Sequence, residues 1–410
     1  MMKKRILAAA LATIFTVASL TGCGASTDEN TTATGTGSEA AAAATTDIDS
    51  IGDVKLTVLC GYAGEDPHGQ YVYSYAEEYM KEHPNVKIEI QAISTNDIYT
   101  KLSAMATTPE DLPQIFMTSA DAVATLYDLG LTRDLTGLIS DDLAGEFANG
   151  VLDSCKLDDK IVYFPIAIQP QAIIYRKDRF EEAGLTIPTT WDEFIDCAKA
   201  LTKDSDGDGE VDQWGFGMVG SNNSSGQSRF MSYLWSNGVD CVTGEDGDFS
   251  TDLKADNKTF TDAFAKWTQM NNDGIVPIGI TEVDYPTAAN YFAMGYTSMF
   301  MTGSNALGVA YANNPDLKGK LGSFKLPGDY PGTMLGTEGY AVSAYATDEE
   351  AAAAIDYLRF FVEHDDQMMF WQSSGKIPAT VEGQKADYIT GDDYAGYLQQ
   401  IADGCRPTVS

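Results

Sequence analysis

From residue 54 onward, the chain alternates between strand-like and helix-like segments, and this pattern restricts the fold more than any other feature. Residues 54–59 alternate and then stay apolar, residues 115–117 form an apolar run, and residues 86–92 place apolar side chains at every second position. Between these segments, apolar residues recur at intervals of three and four over 71–80 and 98–105. This order predicts an α/β fold with a mostly parallel, doubly wound sheet, in which binding sites lie beyond the carboxyl ends of strands.

Other local signals predict helix starts and loops. Residues Thr190 to Glu193 and Thr347 to Glu350 both fit the capping box, in which a Thr hydroxyl and a Glu carboxylate bind free amides at the beginning of a helix. Glycine and asparagine cluster at 220–226 and 244–248, and we expect surface loops there.

Length and charge limit the classes of protein to which the chain can belong. At 410 residues the chain exceeds the roughly 250–300 at which a single core stops growing, so we expect two lobes. It carries 26 Lys and Arg against 60 Asp and Glu, a net charge of −34. Because phosphate backbones are bound by clustered Lys and Arg, this charge excludes a nucleic-acid binder.

The N-terminus has the features of a secretory signal. Three basic residues, Lys3, Lys4 and Arg5, precede an uncharged apolar run over 6–20. The sequence Leu-Thr-Gly-Cys at 20–23 resembles the lipobox of bacterial lipoproteins, in which the cysteine becomes a lipidated N-terminus. We therefore predict a signal peptide over 1–22, lipidation of Cys23 and anchoring on the outer face of the cytoplasmic membrane. An ordinary signal peptide with an incidental cysteine is the alternative.

Residues 23–50 are rich in Ala, Thr, Ser, Gly and acidic residues and contain no aromatic residue, so they predict a disordered tether.

An acidic loop at 204–212 fits the first part of an EF-hand calcium loop. Oxygen-bearing residues occupy positions 1, 3, 5, 7 and 9, and glycine occupies position 6. The predicted ligands are Asp204, Asp206, Asp208, Asp212 and the backbone carbonyl of Glu210. Gly215 stands where an EF-hand has its bidentate Glu, so another oxygen would complete the shell. We predict a structural Ca²⁺, and a solvated acidic turn is the alternative.

Several motifs occur in the order seen in one large family. They are Asn-Val-Lys-Ile-Glu at 85–89, Leu-Pro-Gln-Ile at 112–115, Val-Tyr-Phe-Pro at 162–165, Ile-Ile-Tyr-Arg-Lys-Asp at 173–178 and Pro-Thr-Thr-Trp-Asp-Glu-Phe at 188–194. From about residue 54 to 400, the chain resembles extracellular solute-binding proteins of ABC importers, the family that includes the maltose- and maltodextrin-binding proteins.

The resemblance implies a periplasmic-binding-protein-like fold of two doubly wound α/β lobes joined by a multi-strand hinge. By analogy, lobe one spans 54–167 plus 327–363, and lobe two spans 170–325 plus 366–410. The family continues beyond a segment like that at 404–407, so we expect lobe two to be either truncated or completed in another way.

The resemblance also implies a ligand site in the cleft between the lobes. The residues that fall on the cleft are Tyr62, Glu65, Asp121, Gln169, Trp235, Asn305 and Glu338. Paired carboxylates and an aromatic face suit sugars, because carboxylates accept hydroxyl protons while the ring covers the apolar C–H side. Gln169 replaces a glutamate of the maltose binder, and Asn305 stands where that protein has a stacking tryptophan, so maltodextrin itself is in doubt as the ligand.

The leading hypothesis is a monomeric, non-enzymatic binding lipoprotein that needs no cofactor and delivers a mono- or oligosaccharide to ABC permease subunits. A surface-anchored glycoside hydrolase, which needs two carboxylates roughly 5–9.5 Å apart, is one alternative. A calcium-dependent carbohydrate-binding adhesin that uses the acidic loop is another.

Overall fold

The structure is a computed structural model that describes residues 47–63, 69–120, 122–243, 250–333, 335–363 and 374–405. Its strands are β1 (Val54–Cys60), β2 (Val86–Ala92), β3 (Ile115–Ser119), β4 (Lys156–Leu157), β5 (Lys160–Ile161), β6 (Phe164–Ile168), β7 (Ala172–Arg176), β8 (Trp214–Gly217), β9 (Thr297–Thr302), β10 (Leu321–Phe324), β11 (Glu338–Val342) and β12 (Ile377–Pro378). Its α-helices are α1 (Gly69–Glu82), α2 (Thr95–Met105), α3 (Val123–Asp128), α4 (Asp141–Ala144), α5 (Lys177–Ala183), α6 (Trp191–Leu201), α7 (Ser224–Ser236), α8 (Lys258–Asn272), α9 (Tyr285–Met294), α10 (Asn305–Asn313), α11 (Asp348–Glu363) and α12 (Asp392–Asp403).

The first sheet has six strands in the order β12-β6-β11-β3-β1-β2. Strand β1 pairs in parallel with both β2 and β3, and helices α1 and α2 make the crossovers, as the alternating pattern predicts. Strands β3, β6 and β11 are buried along almost their whole length, which is typical of a sheet covered on both faces.

The second sheet has four strands in the order β10-β7-β9-β8. Strand β8 runs parallel to β9, whereas β7 is antiparallel to both β9 and β10. Every residue of β9 is buried, and a separate aromatic core that includes Phe194, Phe216 and Tyr233 packs against this sheet.

The chain crosses between the two sheets after β6 and again after β10. Each crossing strand enters its new sheet at the edge where the neighbouring strands end: β7 begins with Ala172 opposite Thr302, and β11 begins with Glu338 opposite Ser119. This explains why β7 and β11 are antiparallel to their neighbours in sheets whose other long strands are parallel. The carboxyl ends of β1, β3, β6 and β9 therefore lie at the edges that the crossings join.

The C-terminal part of the chain differs from the lobe boundaries inferred from the family. Strand β12, which falls within the range assigned to lobe two, pairs with β6 in the six-stranded sheet. Backbone hydrogen bonds from the Ala148 amide to the Ala379 carbonyl and from the Val381 amide to the Glu146 carbonyl hold the residues just after β12 against the segment that precedes β4. The chain then returns, and α12 packs on β10 and β7 of the four-stranded sheet.

The predicted helix starts are confirmed, and one predicted loop is partly wrong. Both capping boxes form, at Thr190 with Glu193 and at Thr347 with Glu350. The expected loop at 220–226 ends early, because the Asn223 side chain accepts bonds from the amides of Ser225 and Gly226 and starts α7. The loop predicted at 244–248, like the signal segment and Cys23, lies outside the described residues. Within the described part of the chain, no helix combines the length and apolarity needed to cross a membrane.

Candidate ligand-binding site

Four polar side chains from four different segments meet where the chain crosses between the sheets. Tyr62 follows β1, Gln169 follows β6, Glu338 begins β11, and Lys376 directly precedes β12. These four positions share one edge of the six-stranded sheet, because β11 and β12 run antiparallel to β6 and start where β6 ends. We call them the crossover network.

The Glu338 carboxylate is the centre of the crossover network. Its Oε1 accepts the Tyr62 hydroxyl at 2.6 Å and also the Lys376 ammonium, and its Oε2 accepts the Gln169 amide at 3.0 Å. Lys376 Nζ donates to the Tyr62 hydroxyl oxygen at 2.5 Å and lies 5.1 Å from the centre of that ring. The arrangement fixes the Tyr62 ring and both ends of the carboxylate.

Burial governs the electrostatics of the network. Glu338 and Lys376 are only 9% and 8% exposed, so their opposite charges lie in a region where Coulomb attraction is strong and hydration is lost. Burial raises the pKa of Tyr62 well above its ordinary value, and the adjacent Glu338 charge raises it further. Tyr62 therefore remains a neutral hydroxyl that donates to Glu338.

The four-stranded sheet contributes residues from the turn after β9. Asn305 begins α10, and its amide donates to the Tyr285 hydroxyl at 2.9 Å. A Cβ atom at Gly303 would lie 2.9 Å from Asn305 Oδ1 and 3.4 Å from Gln169 Oε1, so Gln169 and Asn305 approach each other around a glycine. A Cβ at Gly375 would likewise lie 2.8 Å from the Ser304 carbonyl oxygen. Glycine at both positions lets the two sheet edges come close together.

A buried arginine supports this side of the site. Arg229 Nε donates to the Met301 carbonyl at 2.9 Å, Nη1 donates to the Ser225 carbonyl at 2.8 Å, and Nη2 donates to Thr302 Oγ1 at 3.2 Å. The guanidinium lies 5.1 Å from the centre of the Tyr285 ring. Burial lowers the pKa of Arg229 to about 10, which still leaves it charged at neutral pH. Through Tyr285, the position of Asn305 depends on this cation.

The structure brings together four of the seven residues predicted for the cleft: Tyr62, Gln169 and Glu338 in the network, and Asn305 beside it. Trp235 lies elsewhere, because it is 2% exposed and packs in the core of the four-stranded sheet. Glu65 and Asp121 lie outside the described residues.

Sequence reasoning missed Lys376 and Arg229. Lys376 stands in Ser-Gly-Lys-Ile-Pro at 374–378, where a lysine between a glycine and an apolar pair is the available signal. Arg229 stands on a helix with no acidic partner at helical spacing, so only its burial identifies it.

The acidic loop adopts part of the geometry expected of a calcium loop. Carboxylate oxygens of Asp204, Asp206 and Asp208 lie within 4.8 Å of one another. Asp204 accepts the amides of Gly207 at 2.6 Å and Gly209 at 2.8 Å, and these two glycines have φ of 81° and 100°. Three predicted ligands thus converge.

Asp212, the fourth predicted carboxylate ligand, does not join this cluster. Asp212 instead accepts the amide of Ser205 at 2.7 Å and its hydroxyl at 2.6 Å. The Glu210 amide donates to Asp208 Oδ1 at 2.8 Å, which orients Asp208.

Comparisons with known proteins identify the family. The profile of the family described as bacterial extracellular solute-binding protein matches residues 62–368. The diacetylchitobiose-binding protein DasA of Streptomyces coelicolor is 26% identical over 356 residues, which cover 80% of this chain and 77% of that protein. Among solved structures, a solute-binding protein of Agrobacterium radiobacter in complex with ribitol has a TM-score of 0.72 at 21% identity and covers 87% of this chain and 90% of that one. A cyclic α-maltosyl-1,6-maltose-binding protein of Arthrobacter globiformis has a TM-score of 0.68 at 25% identity and covers 88% and 90%.

The chain belongs to the bacterial extracellular solute-binding protein family. This membership confirms the resemblance drawn from the sequence motifs, and the structural matches confirm the predicted α/β fold of the periplasmic-binding-protein type. The family is one of extracellular binding proteins, and the relatives named above are also described as binding proteins.

Proposed function

We propose that this protein is the substrate-binding lipoprotein of an ABC importer, and that it holds a mono- or oligosaccharide between the edges of its two sheets. The crossover network is the observation that carries the proposal. It combines a charged acceptor, a charged donor, an amide and an aromatic ring at the edge of the six-stranded sheet where the chain crosses to the four-stranded sheet.

The chemistry of this edge suits sugar hydroxyls. Glu338 has further lone pairs for hydroxyl donors, while Lys376 and the amides of Gln169 and Asn305 can donate to hydroxyl oxygens. The rings of Tyr62 and Tyr285 provide faces for the C–H side of a sugar. Named relatives bind diacetylchitobiose and a cyclic maltosyl-maltose, and a structural neighbour holds the sugar alcohol ribitol.

The N-terminal features extend the proposal to the cell surface. Cleavage before Cys23 and lipidation of that cysteine would anchor the protein on the outer face of the cytoplasmic membrane, next to the permease that receives the sugar. Metabolic labelling with a palmitate analogue tests this: a Cys23→Ser variant should lose the label and be released from the membrane.

A structural Ca²⁺ at the acidic loop is a separate part of the proposal. Asp204, Asp206 and Asp208 would supply carboxylate oxygens, and the Glu210 carbonyl and water would supply others. The expected result is a rise in melting temperature with CaCl₂ that Asp206→Asn removes while sugar affinity is unchanged. A calcium requirement for attachment to a surface glycan, rather than for stability, would instead favour an adhesin.

A thermal-shift screen of the chain from residue 24 onward, against mono- and oligosaccharides, tests the main proposal. A sugar present at 100 times its Kd should stabilise the protein by about 2.7 kcal/mol. Chromatography of the same samples should show the sugar unchanged. The appearance of shortened sugars would contradict the binding protein and favour a glycoside hydrolase. A melting temperature that no sugar raises would contradict a carbohydrate ligand.

A further inference from the structure

A cavity that is separate from the crossover network lies between helices α7 and α8. It has a volume of about 620 Å³, and its walls are the loop after β8, the first half of α7 and one face of α8. We call it the α7–α8 pocket. Its volume is within the roughly 300–1,000 Å³ typical of small-molecule sites.

Three aromatic side chains form the apolar wall of the α7–α8 pocket. Phe230 lies between the other two, with its ring centre 5.5 Å from that of Trp267 and 6.1 Å from that of Phe264. Phe264 is 47% exposed, so an aromatic face of this wall is open to solvent. Burying such a face under a ligand is favourable in water.

Amides and a hydroxyl form the polar wall. The Ser221 hydroxyl is buried and has no hydrogen-bond partner among the residues that the structure describes. Gln227 donates to Met231 Sδ at 3.7 Å, a weak bond that can be exchanged for a ligand oxygen, and Asn222 is exposed. The amides of Asn222 and Gln227 can donate to ligand oxygens and accept from ligand hydroxyls.

The charge of the lining selects the kind of ligand. The described residues that line the α7–α8 pocket are all uncharged, although the whole chain has a net charge of −34. An ionic ligand would find no counter-charge there, whereas a sugar offers C–H faces to the aromatic wall and hydroxyls to the amides. Mixed apolar and polar contacts of this kind favour a neutral carbohydrate.

The pocket does not share its residues with the site described above. Arg229 donates to the Met301 carbonyl on β9, whereas Gln227 and Phe230 line the pocket, so α7 presents different sides to the two regions. The loop after β8 nevertheless lies at the same sheet edge as Asn305, because β8 and β9 are parallel. A sugar chain held near Asn305 could therefore also reach this pocket.

We infer that the α7–α8 pocket is a second carbohydrate site, which binds one or two neutral sugar units through residues other than those of the crossover network. The inference rests on the proposed function only for the choice of sugars used as probes. The units are either a free sugar or the end of a longer chain held at the first site, and the experiment separates these two sources.

Trp267 allows a direct test by fluorine NMR. The whole chain after the signal segment is labelled with 5-fluorotryptophan, and the Trp267 resonance is assigned with Trp267→Phe. Maltose, maltotriose, raffinose and N,N′-diacetylchitobiose are each added to about 20 mM, where a site with a millimolar Kd is mostly occupied. We expect at least one of them to shift the Trp267 resonance in a saturable way.

Three variants identify the origin of the shift. Phe264→Ala combined with Gln227→Ala should weaken it about tenfold, while Ile187→Ala, which removes an exposed apolar side chain that does not line the pocket, should leave it unchanged. If the sugar still shifts the Trp267 resonance in a double variant with Gln169→Ala and Asn305→Ala, the pocket binds a free sugar. If that double variant loses the shift and the Phe264 variant binds sugar more weakly at the first site, the pocket holds the end of a chain that is bound at the first site.

Two results overturn the inference. One is a Trp267 resonance that none of the four sugars moves. The other is a shift that disappears in the Gln169 and Asn305 variant although the Phe264 variant binds sugar at the first site normally, because Trp267 then only reports a change elsewhere. The thermal shift of the wild-type protein with the same sugars judges the proposed function separately.

Discussion

The two sheets contribute different chemistry to the site between them. The six-stranded sheet supplies a buried ion pair, Glu338 with Lys376, and the Tyr62 hydroxyl bound to both. The four-stranded sheet supplies the neutral amide of Asn305 and the Tyr285 ring, placed over a buried guanidinium. Charge-assisted bonds are roughly twice as strong as neutral ones, so the first half should dominate affinity and the second should adjust fit.

The largest expected effect comes from splitting the ion pair. Lys376→Ala leaves the Glu338 carboxylate buried without its cation, which should lower the free energy of unfolding by about 3–5 kcal/mol. Urea unfolding followed by circular dichroism measures the change. A double variant, Glu338→Gln with Lys376→Met, should recover most of the loss, because it removes both charges.

An exposed ion pair provides the control for the first prediction. Lys385 and Glu382 lie 2.7 Å apart, with side chains 64% and 86% exposed, and removing Lys385 should cost about 0–1 kcal/mol. Equal losses for Lys376→Ala and Lys385→Ala would contradict the buried role of the crossover network.

A smaller loss is expected from the other half of the site. Arg229→Met removes three hydrogen bonds and leaves the Met301 and Ser225 carbonyls without this donor, which should cost about 2 kcal/mol of unfolding free energy. The same urea titration measures it, and Arg229→Lys should fall between the wild type and Arg229→Met. An unchanged stability for Arg229→Met would show that the cation does not support Tyr285.

Asn305→Ala should affect binding more than stability. One neutral hydrogen bond contributes about 0.5–1.5 kcal/mol, so the Kd for the cognate sugar should rise about 2- to 10-fold, as measured by isothermal titration calorimetry. Asn313→Ala, on the same helix, removes an exposed amide that donates to Asn290 at 3.0 Å, and it should leave the Kd unchanged. An Asn305 variant that binds the sugar with wild-type affinity would show that Asn305 does not contact the ligand.

The smallest effect concerns acid stability at the loop of residues 204–212. The amides of Gly209 and then Gly207 lower the pKa of Asp204 below its ordinary value, so the folded state holds this carboxylate ionised more strongly than the unfolded state does. Its contribution is complete above about pH 4 and is lost as the pH falls through the folded pKa.

In the presence of a chelator that removes calcium, the melting temperature of Asp204→Asn should therefore decrease less below about pH 4 than that of the wild type. Asp206→Asn in the same loop controls for the loss of one charge. The same acid profile in wild type and Asp204→Asn would mean that the two amides do not stabilise the carboxylate.

Local patterns predicted much of the fold, because they report interactions between residues near each other in the chain. The alternation over 54–117 located β1, β2 and β3 with their crossover helices, and the two capping boxes located the starts of α6 and α11. The start of α7 was missed because Asn223 lies in a run of Ser and Asn that reads as a loop, although its side chain caps the helix.

Contacts between distant residues could be predicted only in part. The family resemblance pointed to Tyr62, Gln169, Asn305 and Glu338, but not to Lys376, whose partner Glu338 is 38 residues away. The resemblance also pointed to Trp235, which instead packs in the core. The sequence could not reveal this, because neither periodicity nor spacing shows which side of a buried helix faces a cleft.

The position of β11 has a consequence for how the protein reaches its folded state. This strand lies between β3 and β6, so the six-stranded sheet has a gap in its middle until residues 338–342 are available to close it. Contacts this distant in sequence slow folding, because a long loop must close before they form. A chain that emerges from the ribosome N-terminus first therefore stays without a finished first sheet for most of its synthesis.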